Sequence, residues 1–329
     1  MPEFEEIKEN KLFKFITDKK ISMVLLKVFI SAGFLLYIIY KVNFAQIFIT
    51  IAKANLVLIT AAFILTALNL YLQFKKWQMA CVNLLHSNNK KKIWISLFYG
   101  IAAGSFTPVR VGEFFGRSIE FRDKSLLQVT FATIVDKLFL LFVISFCGSI
   151  SSLFFLRYYF HFALSTIFIF LFIILLVFGF ISLMIFKPEL LNSTILKRIQ
   201  ALKIIISLRD KLKDFKSLDK IFAVKMILVS ALFYAVFILQ YAILVAAFSG
   251  NSNFFMFLWA GVLVMFTKSM ITPFTFIDFG IREGASVFFL TKMGELSTVA
   301  FNAPAILFFI NIIIPSTIGV ILFYKRDNA

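Results

Sequence analysis

The sequence predicts an all-α integral membrane protein with about six full transmembrane helices plus two re-entrant broken segments in inverted repeats. Three observations predict it. Of the 329 residues 61% are hydrophobic and the mean hydropathy is +0.94, well above the roughly 45–50% apolar content of a soluble domain. Six apolar runs reach the roughly 20 residues that a spanning helix needs: 21–40, 55–74, 126–147, 162–186, 222–248 and 300–323. Two further hydrophobic stretches are broken by similar polar motifs 165 residues apart, counted from Thr107 to Thr272.

The elements follow in chain order. Residues 1–20 are polar and read as a cytoplasmic N-terminal segment, without a cleavable signal, so 21–40 is retained as the first span. Span 55–74 precedes the first broken segment, whose motif runs Thr107, Pro108, Val109, Arg110, Val111, Gly112, Glu113 and on to Gly116 and Arg117. The stretch before Pro108 has about 15 apolar residues, too few to cross about 30 Å at 1.5 Å per residue. Spans 126–147 and 162–186 follow. Residues 187–220 hold nine Lys and Arg among apolar residues at helical spacing, the pattern of a basic amphipathic segment on the cytoplasmic surface. Span 222–248 leads to the second broken segment, with Thr272, Pro273, Asp278, Gly280, Arg282, Glu283 and Gly284. Span 300–323 closes a single membrane domain over 21–325, and 326–329 is a tail. No stretch leaves room for a separate globular domain.

Charge orients this arrangement. With both broken segments re-entrant, 25 of the 34 Lys and Arg fall on one side and four on the other. The basic side is read as cytoplasmic, with both termini there, in a cell inner membrane. The formal charge of +17 is then explained by anionic lipid and topology rather than by nucleic acid. Spans 55–74 and 126–147 with the first broken segment oppose spans 222–248 and 300–323 with the second. Paired Gly/Pro-broken segments of opposite orientation point to a transporter's binding site near the midplane.

Charge inside such segments is costly, about 2.5–3.5 kcal/mol each at the bilayer centre, so it has to be paired in a polar cavity. The candidate substrate-binding residues are Arg110, Glu113, Arg117, Asp136, Lys137, Asp278, Arg282 and Glu283, with Lys268 beside the second motif. Arg110 and Arg282 present planar forks suited to a phosphate. Glu113 and Glu283 hold those arginines or carry a coupling proton, and Asp136 or Asp278 has the same options; each carboxylate is alternatively a packing ion pair. Pro108 and Pro273 end half-helices. Gly112, Gly116, Gly280 and Gly284 permit sharp turns and close helix approach. Cys81 and Cys147, and the lone His86 and His161, lack metal spacing. No metal, cofactor or catalytic residue is expected.

On these residues the sequence resembles the family of the lysylphosphatidylglycerol synthase transmembrane region, a flippase-like membrane domain. The resemblance covers roughly 20–325. It rests on Thr-Pro-x-x-x-Gly-Glu at 107–113, the Val135-Asp136-Lys137 region, and Gly280-Ile281-Arg282-Glu283-Gly284, the most specific element. The family usually has Glu-Arg where this chain has Asp136-Lys137, and a second glycine where it has Asp278. The resemblance implies a domain that moves anionic or modified lipids between leaflets, with Arg110, Glu113, Arg282 and Glu283 as functional residues. Fused members also synthesise the lipid, through a soluble aminoacyl-transferase domain not seen in this sequence, so that activity is not carried over.

The expected partner is therefore a membrane phospholipid or glycolipid, and the expected protein is not an enzyme. Two alternatives stand beside it. One is a non-catalytic membrane partner of a separate lipid-modifying enzyme, such as a glycosyltransferase or lipid synthase. The other is an integral membrane transferase on a lipid-linked substrate. That reaction favours a carboxylate cluster near the surface; Glu120 and Asp123 lie there, but no Asp-x-Asp or Asp-Asp occurs.

Overall fold

A computed structural model of the chain describes residues 44–105, 107, 110–186, 220–250, 253–271 and 278–327. Span 21–40, the amphipathic segment 187–220 up to its last residue, Pro108 and Pro273 lie outside the described residues. The described chain is helical: α1 Phe44–Ala52, α2 Leu56–Leu84, α3 Lys90–Ser105, α4 Gly112–Ser118, α5 Leu126–Phe160, α6 Leu164–Phe186, α7 Lys220–Ser249, α8 Phe254–Ile271, α9 Asp278–Lys292, α10 Ser297–Phe308 and α11 Ile314–Asp327. A π-turn, Phe309–Ile313, joins α10 to α11. Among these residues no strand occurs.

Six helices are long and apolar enough to cross a membrane. Five match expected spans, two of them greatly lengthened: α2 has 29 residues and α5 has 35, about 44 and 52 Å at 1.5 Å per residue. The sixth is α8, 18 residues long, which the sequence reading made one arm of the second broken segment. The boundaries are set locally. Asn55 caps α2, its side-chain oxygen accepting from the amides of Val57 (3.0 Å) and Leu58 (3.3 Å), which supplies partners for otherwise orphaned donors. Ser125 and Gln128 form a reciprocal capping box at α5. His161, with φ +55°, ends α5 in a left-handed cap.

Both broken segments fold as helical hairpins. The first is α3–α4. Its outer ends stay together: Lys92 at the start of α3 bonds Asp123 beyond α4 at 2.6 Å, and Ile93 and Phe121 share one core with Trp77, Leu84, Ala132 and Met226. The second is α8–α9. Phe257 near its start and Leu290 near its end share another core with Ala62, Phe155, Phe248 and Ala300. Thus the first hairpin opens where α2 ends and α7 begins, and the second opens where α2 begins and α7 ends. The hairpins insert from opposite ends of one bundle.

The contacts repeat with the same symmetry. Helix α2 packs along α7. Helix α3 packs on α11, the last helix of the second half, while α8 packs on α5, the last helix of the first. Each clasp has a glycine at its tightest point. A Cβ on Gly319 would come within 2.4 Å of the Phe98 carbonyl oxygen, and one on Gly148 within 2.3 Å of the Phe266 side chain. Small residues let helices meet this closely where lipid removes the hydrophobic drive for association.

Candidate functional site

Glycine builds the first hairpin. Gly112 and Gly116 on α4 pack against the α3 backbone, and Gly100 and Gly104 on α3 lie under α4 side chains. An added Cβ at Gly112 would sit 2.3 Å from the Ala103 carbonyl oxygen, and one at Gly116 would sit 2.4 Å from that of Tyr99. The arms are therefore in backbone contact. The Cβ positions of Gly100 and Gly104 meet the side chains of Arg117 and Glu113, so these glycines make the trough in which those charges lie. Thr107 fastens the tip: its hydroxyl donates to Ala103 O (3.0 Å) and accepts from Gly112 N (2.7 Å). Arg110 follows with φ +57°, a left-handed backbone uncommon outside glycine.

Within that trough the charges form one chain. Buried Arg117 donates to Glu113 Oε1 at 2.8 Å and to Asp136 Oδ2 at 3.1 Å, and its guanidinium lies 4.2 Å from the Trp77 ring centroid. Lys76 reaches the other oxygen of Asp136 at 3.3 Å. Lys137 Nζ bonds Glu113 Oε2 at 2.7 Å, and Arg110 Nε lies 3.4 Å from the same oxygen. Asp136 and Lys137, neighbours in sequence, thus grip opposite ends of the Glu113–Arg117 pair. Every oxygen of the two carboxylates has a cationic neighbour. Four cations meet two carboxylates, so the described cluster carries a net charge of two positive.

The cluster is open on one side. The side chains of Lys76, Arg117, Glu113 and Asp136 are buried, whereas those of Arg110 and Lys137 are 26% and 39% exposed. Their surroundings are apolar: Ile134, Leu138 and Leu141 on α5, and Val111 and Phe115 at α4, are exposed large hydrophobics. At 100° per residue, Ile134, Lys137, Leu138 and Leu141 fall on one face of α5. The part-exposed side chain of Lys137 lies within a greasy stripe, its amine bonded inward to Glu113.

The second hairpin is built differently. Gly280, at φ +106° in the first turn of α9, donates its amide to Glu283 Oε2 at 2.6 Å. The other oxygen of Glu283 accepts from Arg282 Nη2 at 2.9 Å. Both side chains are buried, that of Arg282 to 1% exposure, and its guanidinium lies 5.2 Å from the Phe308 ring centroid. Tyr241, Ser286 and the carbonyl of Ala300 form a separate buried hydrogen-bonded line. Asp278 opens α9, and its side chain lies outside the described set, as do the second motif's Thr272 and Pro273. Gly284 is half-buried within α9.

Among the described residues, the ion pairs of the predicted site residues form two groups. Arg110, Glu113, Arg117, Asp136 and Lys137 come together at the first hairpin; Arg282 and Glu283 pair at the second. Arg282, read from sequence as a fork for an anion, has its fork directed to Glu283. The sequence reading missed Lys76, counting it with Lys75 as a surface cation because it follows the predicted end of span 55–74. Extending that helix to Leu84 draws Lys76 inside.

A third polar group was also missed. Gln240 of α7 donates to the carbonyl of Ala62 (2.7 Å) and to Thr66 (2.8 Å) on α2, and accepts from Asn69 (2.6 Å) and from Asn311 in the π-turn (2.9 Å). These amides fasten the two halves where α2 crosses α7. Lone amides in apolar spans are themselves a signal, since polar groups there need partners. Among the described residues no group of three or more His, Cys, Asp or Glu is arranged to hold a metal.

The sequence model of the lysylphosphatidylglycerol synthase transmembrane region family matches residues 24–319. No curated protein and no solved structure matches the chain. The chain belongs to the lysylphosphatidylglycerol synthase transmembrane region family.

Proposed function

We propose that the protein carries an anionic or modified lipid between membrane leaflets, without chemical conversion, holding the headgroup phosphate between Arg110 and Lys137. The observation behind this reading is the exposed face of the first hairpin. Two accessible cations on a cluster with surplus positive charge sit beside an exposed stripe of Ile134, Leu138, Leu141, Val111 and Phe115. Such a surface suits an amphiphile, with phosphate on the cations and acyl chains along the stripe. Lys137 is 11 residues into α5, roughly 16 Å along its axis and about half the thickness of the hydrocarbon core. A guanidinium and an ammonium there recover, in binding a phosphate, part of what their own desolvation costs.

Opposed hairpins in two inverted halves support a transporter over a static anchor, because each leaflet then has its own way toward the centre. On this reading both hairpins are re-entrant, the first entering from the basic, cytoplasmic side. Helix α3 has 16 residues, about 24 Å, which falls short of crossing.

The test is transfer of fluorescent phosphatidylglycerol in liposomes holding the purified protein. Wild type is expected to accelerate transfer. Arg110→Ala combined with Lys137→Gln is expected to cut the rate about tenfold, with an unchanged elution profile and melting temperature in detergent. A folded double variant at the wild-type rate removes these residues from the headgroup site. Wild-type protein that moves no lipid favours a non-catalytic partner of a separate enzyme.

A further inference from the structure

We infer that the lipid handled at the first hairpin carries net negative charge on a phosphate, and is not an aminoacylated, cationic phospholipid of the kind the family's description names. This deepens the reading just proposed and rests on it. A lysyl headgroup brings two ammonium groups and one phosphate, a net positive charge that favours carboxylate partners.

The described cluster offers no accessible one: the Glu113 and Asp136 side chains are 2% and 4% exposed, and the one carboxylate oxygen without a hydrogen bond, Asp136 Oδ1, is buried facing Lys76. Glu113 Oε1 is held by Arg117 and its Oε2 by Lys137 and Arg110, while Asp136 is held by Lys76 and Arg117. An arriving ammonium would have to displace a resident cation in a site already two positive charges in excess. A phosphate meets the reverse situation. Arg110 and Lys137 each touch the same oxygen of Glu113, so one carboxylate oxygen faces two cations and leaves both with donors to spare: guanidinium has five N–H groups and ammonium three.

The lipid, rather than free phosphate, is favoured by position. Lys137 shares one face of α5 with Ile134, Leu138 and Leu141, all exposed, and a soluble anion would gain nothing from that stripe. Discrimination here comes from repulsion as much as from attraction, which is how a site rejects a close relative of its substrate.

The experiment uses full-length protein in liposomes, with phosphatidylglycerol and lysylphosphatidylglycerol tracers of identical acyl chains. Transfer of phosphatidylglycerol at least about tenfold faster, equivalent to about 1.4 kcal/mol of discrimination, supports the inference. Equal or faster transfer of the lysyl lipid overturns it and leaves the transport reading standing. If neither tracer moves, the transport reading fails, and the inference is decided by retention of each lipid on detergent-purified protein, measured by native mass spectrometry. Preferential retention of phosphatidylglycerol upholds it; equal retention, or preference for the lysyl lipid, overturns it. Inorganic phosphate at millimolar concentration is the last arm. Displacement of the retained lipid by inorganic phosphate at concentrations equal to the lipid's own would make the site one for a free anion and overturn its assignment to lipid.

Discussion

The two hairpins begin from nearly the same sequence and end as different objects. Each has Thr-Pro, glycine, arginine and glutamate, and each inserts into the bundle from its own end. In the first, Glu113 is shared by three cations and the cluster reaches the surface through Arg110 and Lys137. In the second, Glu283 serves one arginine and one backbone amide, and both side chains are sealed. The charge on the second hairpin's described pair is balanced; the charge on the first is not. A motif repeated across an inverted fold therefore need not be a site repeated. On the reading proposed here the first hairpin binds and the second braces.

The comparison can be broken most sharply through sidedness, where the outcome is all or none. Single cysteines at Ser87 and at Lys292, on a background without Cys81 and Cys147, are expected to react with an impermeant thiol reagent from opposite sides of the membrane. Ser87 lies at the mouth of the first hairpin and Lys292 at the end of α9. From the excess of Lys and Arg near Ser87, that end is expected to label from the inside. Labelling of both from one side would mean that the hairpins do not enter from opposite faces, and the inverted arrangement would fall.

Next in size is the carboxylate that each hairpin depends on. Glu113→Gln strips counter-charge from Arg117, Lys137 and Arg110 together, whereas Glu283→Gln leaves Arg282 alone. Removing one partner of a buried pair costs about 3–5 kcal/mol. Glu113→Gln is expected at or above the top of that range and Glu283→Gln near the bottom. Thermal unfolding in detergent measures both. Equal losses, or a larger one at Glu283, would say that the first cluster is held mainly by its glycine-packed backbone.

Sequence carried much of this fold, for identifiable reasons. Long apolar runs leave few alternatives to a spanning helix, and motifs with Pro and Gly mark where such a run must break. The charge split pointed to two segments that return to the side they left; in the bundle the arms of each pack as a pair, α3 with α4 and α8 with α9, and one of those arms, α8, is also long and apolar enough to span. What stayed hidden depends on rotation about helix axes and on helix length. Lys76 lies beyond the apolar run of α2, and only the extra turns to Leu84 bring it to Asp136. Asp136 and Lys137 are adjacent in sequence and point about 100° apart, so that both serve one network was not readable from spacing. Arg110 and Arg282 look equivalent in sequence; what separates them is whether the neighbouring glutamate is already occupied. The π-turn at Phe309–Ile313 and the Asn69–Gln240–Asn311 amides had visible residues but no local pattern.

The smallest expected effect concerns the mouth of the first hairpin. Lys92 and Asp123 clip the outer ends of the hairpin at 2.6 Å, in the open. The hydrogen bond from Lys92 holds the Asp123 carboxyl below its ordinary range. A carboxyl depressed in the folded state adds stability above its unfolded value of about 3.9, and that stability is lost as pH falls through the folded value. At neutral pH the clip is therefore fully formed, and only acid below about pH 4 releases it. Exposed pairs of this kind contribute about 0–1 kcal/mol and weaken with salt. Asp123→Asn is expected to shift stability by no more than that at pH 7, to have less effect as salt rises, and to leave lipid transfer unchanged. A double-mutant cycle with Lys92→Ala measures the pair directly. A coupling well above 1 kcal/mol, or a transfer defect in a stable Asp123→Asn protein, would make the mouth of the hairpin part of the lipid path, and the division between a binding trough and a passive clip would have to be redrawn.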